Sequence, residues 1–252
     1  MNRSEREVVS QDCGMEAFGA EDLRLPQLKL RQEETERAER VPPGSWFVTS
    51  DPEGHALSRG VVLLEMRKER SLLLARDSLA PRRAQVARIA RETGVTVPID
   101  HEGPVCFSRD RVTPADHSGT WALSERCATC PMARWRTVDG RRTQDCAESY
   151  RLLLWDEGEE TACVYHARGA AIPVVKDLLT SLRVATRRLG VPACGFRMGL
   201  SARLVRSLEG SYYLPSFTRP YPHSDPLVWR RYAEIHEACT PGTNPVVNGG
   251  AT

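Results

Sequence analysis

The sequence predicts a mainly β protein: a small antiparallel barrel with helices inserted into it. Three observations carry this reading. Strand-like runs outnumber helical ones, the strands come as successive hairpins, and one long amphipathic helix stands between two of those hairpins. A layered α/β fold would instead alternate strand and helix along the chain. With 252 residues, 40% of them hydrophobic and 27% charged, the chain can bury a core without staples.

Residues 1–20 are polar and aperiodic, which predicts disorder. They also lack the apolar centre of a signal peptide, and no run approaches the roughly 20 apolar residues of a membrane span. A cytoplasmic setting is expected, with thiols reduced. "LRLPQLKLRQ" (23–32) alternates around Pro26 and reads as an extended edge segment. "EETERAER" is a solvated charge run. "PPGSWFVTS" (42–50) is a turn feeding a short strand. A strand is expected over Val61 to Met66, with a second one following. Residues 81–93 read as a short basic helix, with Pro81 in the first turn and Gly94 as the stop.

From Cys106 to Cys146 aliphatic residues are few, and this stretch alone cannot hold together by apolar burial. Beyond it, "SYRLLLW" and "TACVYHA" flank the acidic turn "DEGEE" as a hairpin. Residues 171–189 form the clearest helix. Ile172, Val175, Leu178, Leu179, Leu182 and Leu189 make one face, and Gly190 ends it. Residues 195–217 read as a second hairpin turning near "LEGS". A short helix, "PLVWRRYAEIHEA", precedes a Pro/Gly/Asn tail, so 225–252 is assigned as helix plus flexible tail.

Four of the eight cysteines fall in the poorly cored segment. Cys127 and Cys130 form a C-x-x-C pair flanked by Cys106 and Cys146. Zn²⁺ prefers thiolate and imidazole, and structural sites use four such ligands. A structural zinc contributes about 10–16 kcal/mol in small peptides, enough to order such a segment. A redox pair is the first alternative, but a thioredoxin-like motif belongs to a βαβ context that is lacking here. Unrelated thiols are the second. The ligand set is read as Cys106, Cys127, Cys130 and Cys146, with His117 or His101 as substitutes for Cys106. Cys163, mid-hairpin, reads as a small buried hydrophobe.

"PVCFSRDRVTP", "CATCPMARW", "DCAESYRLLLW" and "SYYLPSF", in that order, resemble the zinc-containing single-stranded DNA-binding proteins of bacteriophages and prophages. The likeness runs from about Leu23 to Phe217. It implies an OB-fold barrel over 21–224 with the metal loop at 106–146, and binding of single strands in replication, recombination or repair. It also implies a phage or mobile-element origin and therefore host cytoplasm. The family pattern has a Ser-x-Asp-Gly turn after the first cysteine. This chain has Ser108-Arg109-Asp110-Arg111 instead.

Binding of this kind needs a basic track and aromatic platforms. Net charge is only +2, but among the basic residues only Lys29, Lys68 and Lys176 are lysine. The rest are arginine, which grips phosphate in a fork and stacks on bases. The expected contacts are Phe107, Arg109, Arg111, Arg134, Trp135, Arg136, Arg151 and Tyr213. Trp135 is the leading platform because its loop is poor in aliphatics. Tyr212 and Tyr213 are adjacent in a strand, so only one can face a given side. The acids are expected to gather elsewhere, in "EETERAE" and "DEGEE". DNA is the expected partner, with RNA as the second ligand and replication or recombination proteins as further partners. No membrane is expected. No catalytic constellation emerges: "HEGP" lacks the second histidine of a zinc-protease helix. The rival reading is a zinc-stabilised protein-interaction or transcription adaptor. The tail "TPGTNPVVNGGAT" carries no acid with which to recruit partners.

Overall fold

The structure is a computed structural model that describes residues 25–33, 41–49, 60–75, 78–114, 120–138, 140–207 and 210–239. The expected disorder of 1–20, the run "EETERAER" after its first residue and the tail beyond 239 lie outside those residues.

The strands are β1 (Gln27–Leu30), β2 (Trp46–Val48), β3 (Gly60–Leu73), β4 (Pro104–Ser108), β5 (Arg136–Val138), β6 (Arg141–Thr143), β7 (Cys146–Asp156), β8 (Thr161–Arg168), β9 (Phe196–Ser207), β10 (Gly210–Phe217) and β11 (Tyr221–Pro222). The helices are α1 (Leu79–Thr93), α2 (Ala171–Leu189) and α3 (Pro226–Cys239). The protein is mainly β, with one sheet curled into a half-barrel and helices inserted along it. Its strand order is β10-β9-β3-β7-β8-β1-β2, with β4 and β11 added beside β3 and β9. β5 and β6 form a separate ribbon.

β3 is one continuous strand where two shorter ones were expected. It has β7 along one edge, and its other edge is shared. Gly60–Val62 pair with β9, and Arg70–Leu73 pair with β4. A register shift between Leu63 and Glu65 marks a bulge, and a bulge bends the strand and increases its twist. The bulge keeps Val61, Leu63, Met66 and Leu72 toward the two cores while Glu65, Arg67 and Glu69 lie on the other face, where Glu69 is still buried.

β1 is not an edge. It pairs in parallel with β8 and antiparallel with β2. Pro26 does not block this, because it lies before the strand and still has its carbonyl, which accepts from Val164 N at 2.8 Å. The curl is completed by side chains. The Gln32 amide pairs with the Tyr213 backbone in both directions: Nε2 donates to the carbonyl at 3.0 Å, and Oε1 accepts from the amide at 2.7 Å. Trp46 Nε1 donates to Ser201 O at 2.9 Å. Gly44 turns at φ 81° against the Tyr213 ring, where an added Cβ would lie 2.6 Å from a ring carbon.

The main core fills the space between the sheet and α2. It includes Trp46, Val61, Tyr150, Leu152, Leu154, Cys163, Tyr165, Phe196 and Met198. α2 buries Ala171, Val175, Leu178 and Leu182. Leu189, expected on that face, is 51% exposed. Gly190, at φ 68°, reverses the chain so that Val191 re-enters the core instead. α3 is docked on the half-barrel. Tyr232 Oη donates to Glu157 Oε1 at 2.7 Å, and Arg197 Nε lies 2.7 Å from the other carboxylate oxygen.

The Cys106–Cys146 segment has more apolar support than its composition promises. Leu72 from β3, Leu74 just beyond it, Ile89 from α1, and Val97 meet Val105, Leu123, Met132 and three of the cysteines in a second buried cluster. The aliphatics are borrowed from flanking elements, so the segment read alone looks coreless.

Candidate functional site

The four cysteines come from three places: Cys106 from β4, Cys127 and Cys130 from a knuckle, and Cys146 from the first residue of β7. Each is only 5–6% exposed, and none forms a disulfide. β3 runs between two of them: Leu72 pairs with Cys106 of β4 on one side and with Cys146 of β7 on the other. The knuckle is a chain of tight turns. Cys127 N donates to Val112 O at 2.9 Å, and Ala133 N donates to Cys130 O at 3.1 Å. Pro131 opens the short 3-10 turn Pro131–Ala133, which buries Met132.

The thiols act on one another electrostatically. Burial pushes Cys146 up to about 12, and the other three cysteines add to the rise. Cys106 is raised by burial and by Cys127 and Cys130, partly offset by backbone N–H groups of Leu123 and Phe107. Four buried thiols without an acidic partner suit a thiophilic cation in donor type and burial. The sulfurs do not, as they stand, converge: among the described residues no three His, Cys, Asp or Glu side chains form a group that could hold a metal ion. His101 is engaged elsewhere, with Nε2 3.3 Å from Pro104 O and its ring edge-on to Trp121 at 4.8 Å. His117 lies outside the described residues. Cys163, fully buried in the main core, is pushed up to about 12 by burial, as expected of an inert thiol.

The turn after Cys106 forms despite the missing glycine. Arg111 takes the left-handed conformation itself, at φ 63°. Asp110 organises the turn by accepting from Ser108 Oγ at 2.9 Å, Val112 N at 2.7 Å and Thr113 N at 3.0 Å. Those bonds hold its carboxyl far below the usual range.

The expected contact residues divide into two groups. Trp135 is 60% exposed, with the Arg142 guanidinium 5.3 Å from its ring centre. Arg134 and Arg109 are exposed and make no ion pair among the described residues. Phe107 is half-buried on β4. Arg111, by contrast, is paired with Glu148, Arg136 with Asp145 at 3.1 Å, and Arg151 with Glu65 at 3.3 Å. The acids are therefore not segregated from the arginines. Pairs at this range offset much of the charge that a phosphate would meet. Tyr213 is half-buried, with its ring against Gly44.

Asp145 carried no sequence signal. Its side chain is 9% exposed and it holds both Arg136 of β5 and Arg88 of α1. Gln144 Nε2 donates to Ala133 O. Residues 144–146 thus tie the knuckle and the ribbon bearing Trp135 to β7.

A second feature lies at the seam where β1 and β8 face β10. A groove of about 860 Å³ is lined there by Lys29, His166, Arg168, Tyr212 and Tyr213 among others, with no acid among its lining residues. Both tyrosines line it because it runs along the edge of β10 rather than over one face. His166 lies 3.7 Å from buried Glu69. Burial, with Arg168 and Arg151, lowers its pKa to about 4, so it is neutral at pH 7. Among the described residues no helix is long and apolar enough to cross a membrane. No protein-family pattern matches the chain, and neither a curated protein nor a solved structure does.

Proposed function

We propose that this chain is a non-catalytic, sequence-tolerant binder of single-stranded DNA, built on an OB-like barrel and serving replication, recombination or repair. The observation that carries the reading is the course of five strands. β3 pairs with β7 on one side and β9 on the other. β7 and β8 form a hairpin, α2 follows, and β9 and β10 form a second hairpin. That course supports the OB-like reading; OB barrels take their ligands over the second and third strands and the loops between strands one and two and between four and five. On that reading the first of those loops is the segment holding the four cysteines and Trp135.

The structural zinc belongs to the same proposal, with Cys106, Cys127, Cys130 and Cys146 as its thiolates. When bound it supplies charge neutralisation and a cross-link, with no open position for catalysis. The chain's own residues do the binding. Exposed Trp135 offers a stacking face, Arg142 sits over it, and Arg109 and Arg134 make no ion pair among the described residues. The test is a gel-shift series on unrelated single-stranded sequences of about 30 nucleotides, a length covering one or more OB sites, with duplex DNA and single-stranded RNA as competitors. Similar retention of every single-stranded DNA, with duplex a poor competitor, supports the proposal. No shift with any strand favours the protein-adaptor reading.

A further inference from the structure

We infer that the groove between β1 and β10, rather than the arginines around the cysteine segment, is the principal seat of the bound strand. Lys29 and Arg168 take phosphates there, and Tyr212 stacks on a base. The inference rests on the single-strand reading above and assigns its site. The warrant is charge. The only formally charged side chains lining the groove are Lys29 and Arg168, both exposed and neither ion-paired among the described residues. The cysteine segment has more arginines, but Arg111, Arg136 and Arg151 face acids at contact distance. An anionic strand meets two cations and no acid among the residues lining the groove, whereas on the segment Arg109 and Arg134, without an ion pair among the described residues, stand among arginines that acids already hold.

The division of labour between the tyrosines follows from packing. Tyr213 is fixed, with its ring on Gly44 and its backbone held by Gln32. Tyr212, next to it on the strand, points to the other side of β10 and has no such anchor. His166 Nδ1 is buried 3.7 Å from Glu69, which leaves Nε2 as the ring nitrogen for a base edge. Glu69 is 5% exposed and does not line the groove; burial raises its pKa.

The test compares three full-length variants with the parent chain: Lys29→Gln/Arg168→Gln, Tyr212→Ala and Trp135→Ala. Affinity for labelled oligo-dT and oligo-rU is measured by anisotropy over a salt series. The groove variant should lose about tenfold or more in affinity, and its log–log salt slope should be shallower by about 1.4, two phosphates at 0.7 each. Tyr212→Ala should cost about tenfold. Equal losses on dT and rU assign the groove to single strands generally, and a larger loss on dT assigns it to DNA. Parent-like affinity in both groove variants overturns the inference and leaves the single-strand reading standing. A parent chain that binds neither oligomer overturns both. Near-ultraviolet circular dichroism checks folding. If a variant fails that check, photo-crosslinking of the parent chain to iodouracil-substituted DNA decides. A crosslinked peptide from β10 or β1 supports the groove, and crosslinks confined to β5–β6 overturn it.

Discussion

Arg111 shows how a single residue carries both a constraint and a contact. The turn after Cys106 needs a left-handed residue, and arginine meets that need at φ 63° while pairing with Glu148. Replacement by alanine removes the pair and keeps the strain. Replacement by glycine removes both. Arg111→Gly should therefore be more stable than Arg111→Ala by about 1 kcal/mol in urea denaturation, and equal midpoints would show that the turn relaxes in solution. The sequence flagged this position as the departure from the glycine of the family it resembles. It did not tell whether the turn survives, because Asp110 organises it through bonds that no spacing rule displays.

His166 is the residue whose ionisation should be visible in stability. Its folded pKa of about 4 lies below the unfolded value near 6.5. The folded state therefore holds fewer protons between those values. The stability that neutral His166 contributes is fully present above pH 6.5 and is lost as pH falls toward 4. Glu69, raised by burial, has the opposite sign and blunts the loss. His166→Gln should flatten the stability–pH curve between 6.5 and 4, measured by thermal melts across that range. An unchanged slope would place the imidazole in water.

At the scale of elements, the helices and hairpins were the most legible parts. The 3.6-residue spacing of Val175, Leu178 and Leu182 locates α2, and the glycine stops at 94 and 190 fall where expected. The pairing of β1 was not legible, because a parallel neighbour distant in sequence leaves no local pattern. Nor was the second core, whose aliphatics come from β3 and α1. That core suggests what metal removal should do. The main core is a separate cluster, so stripping the proposed zinc should loosen the Cys106–Cys146 segment and spare the sheet. Hydrogen exchange after chelation should show lost protection from 106 to 146 and retained protection in β7–β10. Global unfolding would mean that the two clusters form one cooperative unit.

The seam is the other element whose chemistry is side-chain made. Gln32 supplies a donor and an acceptor to one residue of β10, in place of a strand ladder. Gln32→Leu leaves the Tyr213 N–H and C=O without those partners, a cost of about 1–3 kcal/mol. The expected result is a lower melting temperature and faster exchange at the Tyr213 amide. Parent-like exchange would mean that other contacts close the barrel.

For the whole molecule, a net charge of +2 states the central problem. A strand binder with so little net charge must gather its cations. Sequence reading singled out the four cysteines, each of which the fold buries, and Trp135, which it exposes. It misplaced the acids. Glu65, Asp145 and Glu148 are interleaved with the expected contact arginines, because cross-strand and loop pairings are invisible in a linear reading. Lys29 and Arg168, isolated in sequence, share a groove only because β1 inserts beside β8. The measurement that tests the account most directly is a fluorescence-monitored titration of the full chain with poly-dT from low to high salt. The account predicts saturable binding, with log affinity falling linearly with log salt at about −0.7 per phosphate neutralised, and duplex DNA unable to compete at equal nucleotide concentration. No saturable binding at low salt, or duplex competing as well as poly-dT, would contradict it.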